Sequence, residues 1–175
     1  GDLQAHDVPI KGEKVIVLGA GGASRAAVYG LWQAGAEVVV VNRTMQRAQD
    51  MLMQLTFSAG VQGIQAMTLD EAAEWGASLV VNATSAGMHP NIDNTPWIEA
   101  IPFPKNATVY DMVYTPAHTK LMQQAESAGG RAIGGLGMLA RQGAVAFEIW
   151  TGIAPPIDVM LDTLREELAK RQMKG

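Results

Sequence analysis

The chain has 175 residues, 48% hydrophobic and 17% charged, with a net charge of -4 and no cysteine. That length supports one domain, two at most, with a sizeable core, and the composition excludes a disordered chain. The acidic balance argues against a nucleic-acid binder that neutralises phosphates. The missing cysteines exclude a disulfide scaffold, a thiolate nucleophile and a zinc–thiolate site, and no metal site is expected.

Taken in chain order, Lys14 to Leu18 is a short apolar run that ends in glycines, and Glu37 to Asn42 is a second run, almost pure valine. Runs that are apolar on both faces suit parallel strands buried between two helix layers. Between them Ala23 to Ala34 places Ala26, Ala27, Leu31 and Ala34 at helical spacing, with Gly35 as the stop. Met45 to Phe57 reads as an amphipathic helix with Met45, Ala48, Leu52 and Leu55 on one face. A weak strand at Ile64 to Met67 and a short helix at Leu69 to Trp75 follow. Strands are expected at Leu79 to Asn82, Thr108 to Asp111 and Arg131 to Ile133, with a helix at Thr119 to Ala128 between the last two. Met138 to Trp150 is an apolar helix. The segment from Ile157 to Lys174 carries an apolar stripe of Ile157, Met160, Leu161, Leu164 and Leu168. It is expected either to close on this core or to pack on a missing partner domain. The repeated strand–helix order predicts an α/β, doubly wound parallel sheet of about six strands with helices on both faces. The ten methionines and four tryptophans are expected in core and loop packing.

No segment approaches the roughly 18 apolar residues of a membrane helix. No basic segment followed by an apolar core opens the chain. A cytoplasmic location without membrane partners is therefore expected. The chain starts at Gly1 rather than at Met.

The chemistry concentrates where strands end. Gly19-Ala20-Gly21-Gly22-Ala23-Ser24 follows a strand and opens a helix. It matches the dinucleotide-binding turn, with Ser24 at the third glycine position. Gly19 suits the tight turn, Gly21 lets backbone approach a pyrophosphate, and the helix end offers free N–H groups to the phosphates. An NAD site usually places a carboxylate after the second strand to bond the ribose hydroxyl. Here that place reads Asn42-Arg43-Thr44, with Arg47 one turn on. Arg43 can fork onto a 2′-phosphate, so NADP is the expected nucleotide. Asn82 opens a run of small and polar residues at a strand end, a second cofactor-contacting position. Asp111 to Pro116 follows the next strand. Gly134-Gly135-Leu136-Gly137 precedes the apolar helix and suggests close backbone approach to the nicotinamide. Gln142 on that helix either satisfies a hydrogen bond in the core or reaches a substrate hydroxyl.

The blocks GAGGASR, NRT, NATSAGM, DMVYTP and GLGMLARQ, in this order, closely resemble the NADP-binding half of the shikimate dehydrogenase family. The resemblance covers nearly the whole chain and makes 1–175 one NADP-binding Rossmann domain. It implies that Gly19, Ala20, Gly21, Gly22 and Ala23 cradle the pyrophosphate, and that Asn42, Arg43, Thr44 and Arg47 hold the 2′-phosphate. It further implies that Met112 and Gly135 line the nicotinamide pocket, and that Tyr114 and Gln142 reach the substrate. The family reaction converts 3-dehydroshikimate and NADPH to shikimate and NADP. Its catalytic Lys and Asp lie in an N-terminal substrate domain, the Asp in an N-T-D motif that this chain lacks. No catalytic residue is therefore expected in this chain, the substrate is expected to be held by the missing domain, and the exposed terminal helix could drive self-association. A dehydrogenase of quinate and shikimate that accepts NAD, and a non-catalytic NADP sensor, are the alternatives. Glutamyl-tRNA reductase has a similar N-R-T but requires a catalytic Cys.

Overall fold

The computed structural model describes residues 1–172. After a short helix α1 (Asp2–Ala5), the chain alternates strand and helix: β1 (Lys14–Leu18), α2 (Gly22–Gln33), β2 (Glu37–Val41), α3 (Met45–Ala59), β3 (Gln65–Met67), α4 (Leu69–Glu74) and β4 (Leu79–Asn82). An irregular crossover, 83–107, leads to β5 (Thr108–Asp111), then α5 (Lys120–Ser127), β6 (Ala132–Gly134), α6 (Leu136–Thr151) and α7 (Ile157–Gln172). The six strands form one all-parallel sheet in the order β3-β2-β1-β4-β5-β6. The chain moves outward from β1 to β3, then returns to the other side of β1. The expected doubly wound α/β sheet is thus what forms, and its switch point lies between β1 and β4.

Strand alternation divides the core. Val15, Val17, Val38, Val40, Leu79 and Val81 face α2 and α3, where they meet Val28, Leu31, Ala48, Met51 and Leu55. Ile16, Leu18, Val39, Val41, Val80 and Val109 face the opposite way, onto Ala72, Leu121, Met122 and Ala125. This period of two with apolar residues on both sides is what makes the strands read as unbroken valine runs. The irregular crossover, which has no helix to cover the sheet, is anchored instead by Trp97. That side chain is fully buried in the second core. It donates from Nε1 to the Ile101 carbonyl (2.9 Å) and packs on Phe103 with ring centroids 4.7 Å apart.

Several sequence expectations need correction. In α2 the buried residues are Ser24, Val28 and Leu31, while Ala26 and Ala34 are exposed. In α3 Met51 takes the buried place expected of Met45. That helix also continues past Phe57 to Ala59, because Gly60 caps it in the left-handed conformation (φ 68°). Not every tryptophan packs inside: Trp150 is 83% exposed, and Phe147 and Ile149 beside it are exposed too. The apolar stripe of α7 is half-buried from Ile157 to Leu168, with Met160 close against Gly143 of α6. The helix therefore lies on α6, and among the described residues it contributes none to either sheet core. Its expected end at Lys174 lies outside the described residues. Among the described residues no helix is long and apolar enough to cross a membrane.

Candidate functional site

Strand register aligns the places where the candidate residues begin. Leu18 pairs with Val41 on one side and with Asn82 on the other. Asn82 pairs with Asp111, and Asp111 with Gly134. The segments that start at Gly19, Asn42, Ala83, Met112 and Gly135 therefore leave the sheet side by side. From β2 to β6 there are four strand gaps, or about 19 Å at the usual spacing. Backbone bonds tie the row together: Gly19 N–H to the Val41 carbonyl (2.7 Å), Ala83 N–H to Leu18 (3.0 Å), Met112 N–H to Asn82 (3.0 Å) and Gly135 N–H to Val113 (3.3 Å).

Around β1 and β2 the two glycines of the turn do different work. Gly19 has φ +110°, and a Cβ there would lie 2.8 Å from Ser24 Oγ and 3.1 Å from the Ala83 carbonyl. It is glycine because the turn is both left-handed and crowded. Ser24, completely buried, fills the small space between α2 and β4, as the third position of the motif requires. Gly21 is the N-cap of α2 in extended conformation and has no side-chain cap. A Cβ on Gly21 or Gly22 would meet nothing within 4 Å. The first turn of α2 thus presents uncapped N–H groups toward open space and itself carries no acidic residue, an anion-binding arrangement. Thr44, the N-cap of α3, likewise makes no side-chain cap bond. Asn42 donates from Nδ2 to the Thr44 carbonyl (2.9 Å), so its amide shapes this turn. Arg43 and Arg47 are exposed, and among the described residues neither has an acidic partner. Two guanidinium groups and a helix N-terminus thus lie at the end of β2 without a carboxylate.

The β4 to β6 side is braced by buried polar groups. Asn82 is fully buried. Its Oδ1 accepts from the N–H (3.0 Å) and the hydroxyl (2.7 Å) of Thr84, and its Nδ2 donates to Asp111 Oδ1 (2.9 Å). Asp111 also accepts from Val113 N–H (3.0 Å) and from the Thr119 hydroxyl (2.6 Å). Burial pushes the Asp111 carboxyl above the ordinary carboxylate range, opposed by the bonds from Thr119, Val113 and Asn82. Thr119 in turn caps α5 by accepting from Met122 N–H (3.3 Å). One carboxylate therefore joins the loops after β4 and β5 to the start of α5. In the sequence, Asp111 and Thr119 are marked only as an Asp that ends a strand and a Thr that opens a helix eight residues on.

Gly135 lies directly against the backbone of Met112. A Cβ there would collide with the Met112 carbonyl and Cα. The glycine is needed to let the turn before α6 rest on the backbone just after β5, and the two expected nicotinamide-side residues are direct neighbours. Tyr114 is 37% exposed. Gln142 is exposed on α6 and makes no side-chain hydrogen bond among the described residues, so it satisfies nothing in the core. Lys14, at the opposite end of the sheet, donates to the Trp75 carbonyl (3.2 Å). Among the described residues no group of His, Asp or Glu could hold a metal ion.

Comparison with known proteins places this geometry. The family model described as "Shikimate / quinate 5-dehydrogenase" matches residues 2–112, and "Shikimate 5'-dehydrogenase C-terminal domain" matches 135–165. Shikimate dehydrogenase (NADP(+)) of Methanocella arvoryzae is 40% identical over 166 residues, which are 95% of this chain and 61% of that protein. The structure of shikimate 5-dehydrogenase from Thermus thermophilus with NADP(H) and shikimate superposes with a TM-score of 0.81 at 39% identity, covering 94% of this chain and 58% of that one. Quinate dehydrogenase of Corynebacterium glutamicum in complex with NAD gives 0.81 at 28% identity, covering 94% and 58%. The chain thus spans about three fifths of the length of the relatives it matches. With two family models matching in order along one doubly wound sheet, the chain belongs to the shikimate / quinate 5-dehydrogenase family.

Proposed function

We propose that this chain, 1–175, is the NADP(H)-binding domain of a cytoplasmic shikimate dehydrogenase. The parent reaction moves a hydride from NADPH to the ketone carbon of 3-dehydroshikimate while a proton joins the oxygen, giving shikimate and NADP in aromatic amino-acid biosynthesis. The observation that carries this reading is the pair of uncapped helix N-termini, at Gly21 and Thr44, on adjacent strand ends with Arg43 and Arg47 beside the second. The first suits a pyrophosphate. The second suits a 2′-phosphate, which a carboxylate at that position would repel.

When bound, the nucleotide supplies the hydride. Gly19 to Ala23 would orient its pyrophosphate. Asn42 would shape the turn that carries Arg43 and Thr44, with Arg47 behind them. Asn82 would hold the loop after β4, and Met112 and Gly135 would wall the nicotinamide. Tyr114 and Gln142, both exposed, are free to contact a substrate held from the other side. Hydride transfer to a ketone needs a proton donor for the developing alkoxide. Lys14 is engaged at the opposite, amino-terminal end of the sheet, and His118, in the segment after β5, is paired with Glu126 on the surface. The acid/base pair and most of the substrate site are therefore assigned to the remaining two fifths of the relatives' length. The bare faces of Phe147, Ile149 and Trp150 favour self-association when this chain stands alone.

The test is calorimetric titration of the chain with NADPH and NADH, followed by an assay of NADP reduction with shikimate. A charge-assisted contact is worth about 1.5–3 kcal/mol, so NADPH should bind about ten- to a hundredfold more tightly. No turnover is expected. Equal affinities would overturn the NADP assignment in favour of the NAD-accepting quinate reading. Turnover by the chain alone would overturn the assignment of the acid/base pair.

A further inference from the structure

The segment before β1 reaches the far end of the candidate site through one side chain. Asp2, in α1, has a side chain only 7% exposed. Its Oδ2 accepts from the Tyr110 hydroxyl (2.7 Å), and its Oδ1 accepts from Arg141 Nε (3.1 Å). His6 Nε2 lies 4.0 Å from the same Oδ1. The first turn of α6 rests directly on this carboxylate: a Cβ at Gly137 would collide with it.

Each contact leads to a residue already placed on the nicotinamide side. Tyr110 precedes Asp111 and Met112 on β5. Gly137 is two residues beyond Gly135. Arg141 adjoins Gln142. A buried carboxylate is costly unless paired and hydrogen-bonded. This one has a guanidinium, a phenol and the positive end of a sixteen-residue helix around it. Among the described residues no side-chain hydrogen bond or ion pair joins α1 to the β1–α2 or β2–α3 turns. Among the described residues the polar side-chain partners of Asp2 lie on β5 and α6, apart from His6 in its own segment.

Resting on the NADP(H) reading above, we propose that Asp2 is a positioning residue. It holds the glycine turn of α6 against β5, and so sets the wall formed by Met112 and Gly135, while the adenosine end of the site is independent of it.

The test compares two probes, NADPH and adenosine 2′,5′-bisphosphate, which carries the adenosine end alone. Both are titrated into the wild-type chain, Asp2→Ala, Asp2→Asn and Tyr110→Phe, with thermal melts alongside. Asp2→Ala should weaken NADPH about fivefold or more, at the lower end of coupling between sites, and lower the emission enhancement of the bound dihydronicotinamide. The bisphosphate should bind unchanged. Asp2→Asn keeps bulk against Gly137 and should recover part of the loss. Tyr110→Phe removes one donor and should show the same selective pattern more weakly. If Asp2→Ala does not fold, the other two variants decide. Weakening of both probes in proportion, or of neither, would overturn the proposal. A wild-type chain that binds neither probe would instead overturn the NADP(H) reading, and this inference with it.

Discussion

The two ends of the candidate site are built on different principles. At β1 and β2 the functional groups are backbone N–H groups at uncapped helix starts, with exposed arginines beside them. Side-chain bracing there is local, as in the bond from Asn42 to the Thr44 carbonyl two residues on. At β4, β5 and β6 the loops are cross-linked by buried Asn82, Asp111 and Thr119, with a second carboxylate, Asp2, behind them. A phosphate site can be local because a helix end and a glycine are enough. A wall assembled from three loops that are far apart in sequence needs polar clips to stay in register.

If that contrast is right, substitutions at the two ends should fail differently. The largest effect is expected for Gly21→Val. Open space surrounds that position, so circular dichroism and the melting curve should be unchanged, while NADPH binding is lost because the side chain occupies the pyrophosphate position. Retained affinity would mean that the turn is not the phosphate site.

Asp111→Ala should act on the fold instead. It strands three buried donors, on Asn82, Val113 and Thr119. At about 1–3 kcal/mol for an unsatisfied buried group, and with some relaxation, a loss of about 2–5 kcal/mol in denaturant unfolding is expected. The pH dependence sharpens this. Burial raises the Asp111 pKa in the folded chain above the unfolded value of about 3.9. The native state therefore holds this proton to higher pH, and the contribution of Asp111 to stability falls as pH rises from about 4 through the raised value. Asp111→Asn, which carries no charge, should lose that slope. A mutant with the wild-type slope would show that the carboxylate ionises as easily folded as unfolded.

The smallest effect is expected for Arg43→Ala. It should weaken NADPH by about ten- to a hundredfold, the loss of one charge-assisted contact, and leave NADH and the melting curve untouched. A matching loss for NADH would place Arg43 on the adenine rather than on the 2′-phosphate.

The same contrast explains what could be read from the amino acids. β4 and β5 are found residue for residue, because each is an apolar run closed by a polar residue at the strand end. The glycine turn is legible because its whole logic lies within six consecutive residues. The clips are not legible in this way. Asp111 meets Asn82 across paired strands, and Asp2 meets Tyr110 and Arg141 from a separate helix, contacts that no local pattern encodes. The glycines around Gly135 signal crowding in the sequence, but only the fold reveals Met112 as the neighbour. Trp150 misled because an apolar side chain carries no label for which surface buries it.

The crowding at Gly19 has a consequence for the order of folding. Its neighbours are Ser24, from the same βα unit, and Ala83 and Thr84, from the end of β4. β1 and β2 can pair early, since a single helix separates them. β1 and β4 pair through Val15 and Leu79 across two strands and three helices of intervening sequence. Such distant pairings are slow because the loop must close before any contact rewards it. The glycine turn is therefore complete only when the last central strand docks. Nucleotide binding should consequently appear late in refolding, as a signal that the two halves of the sheet have joined.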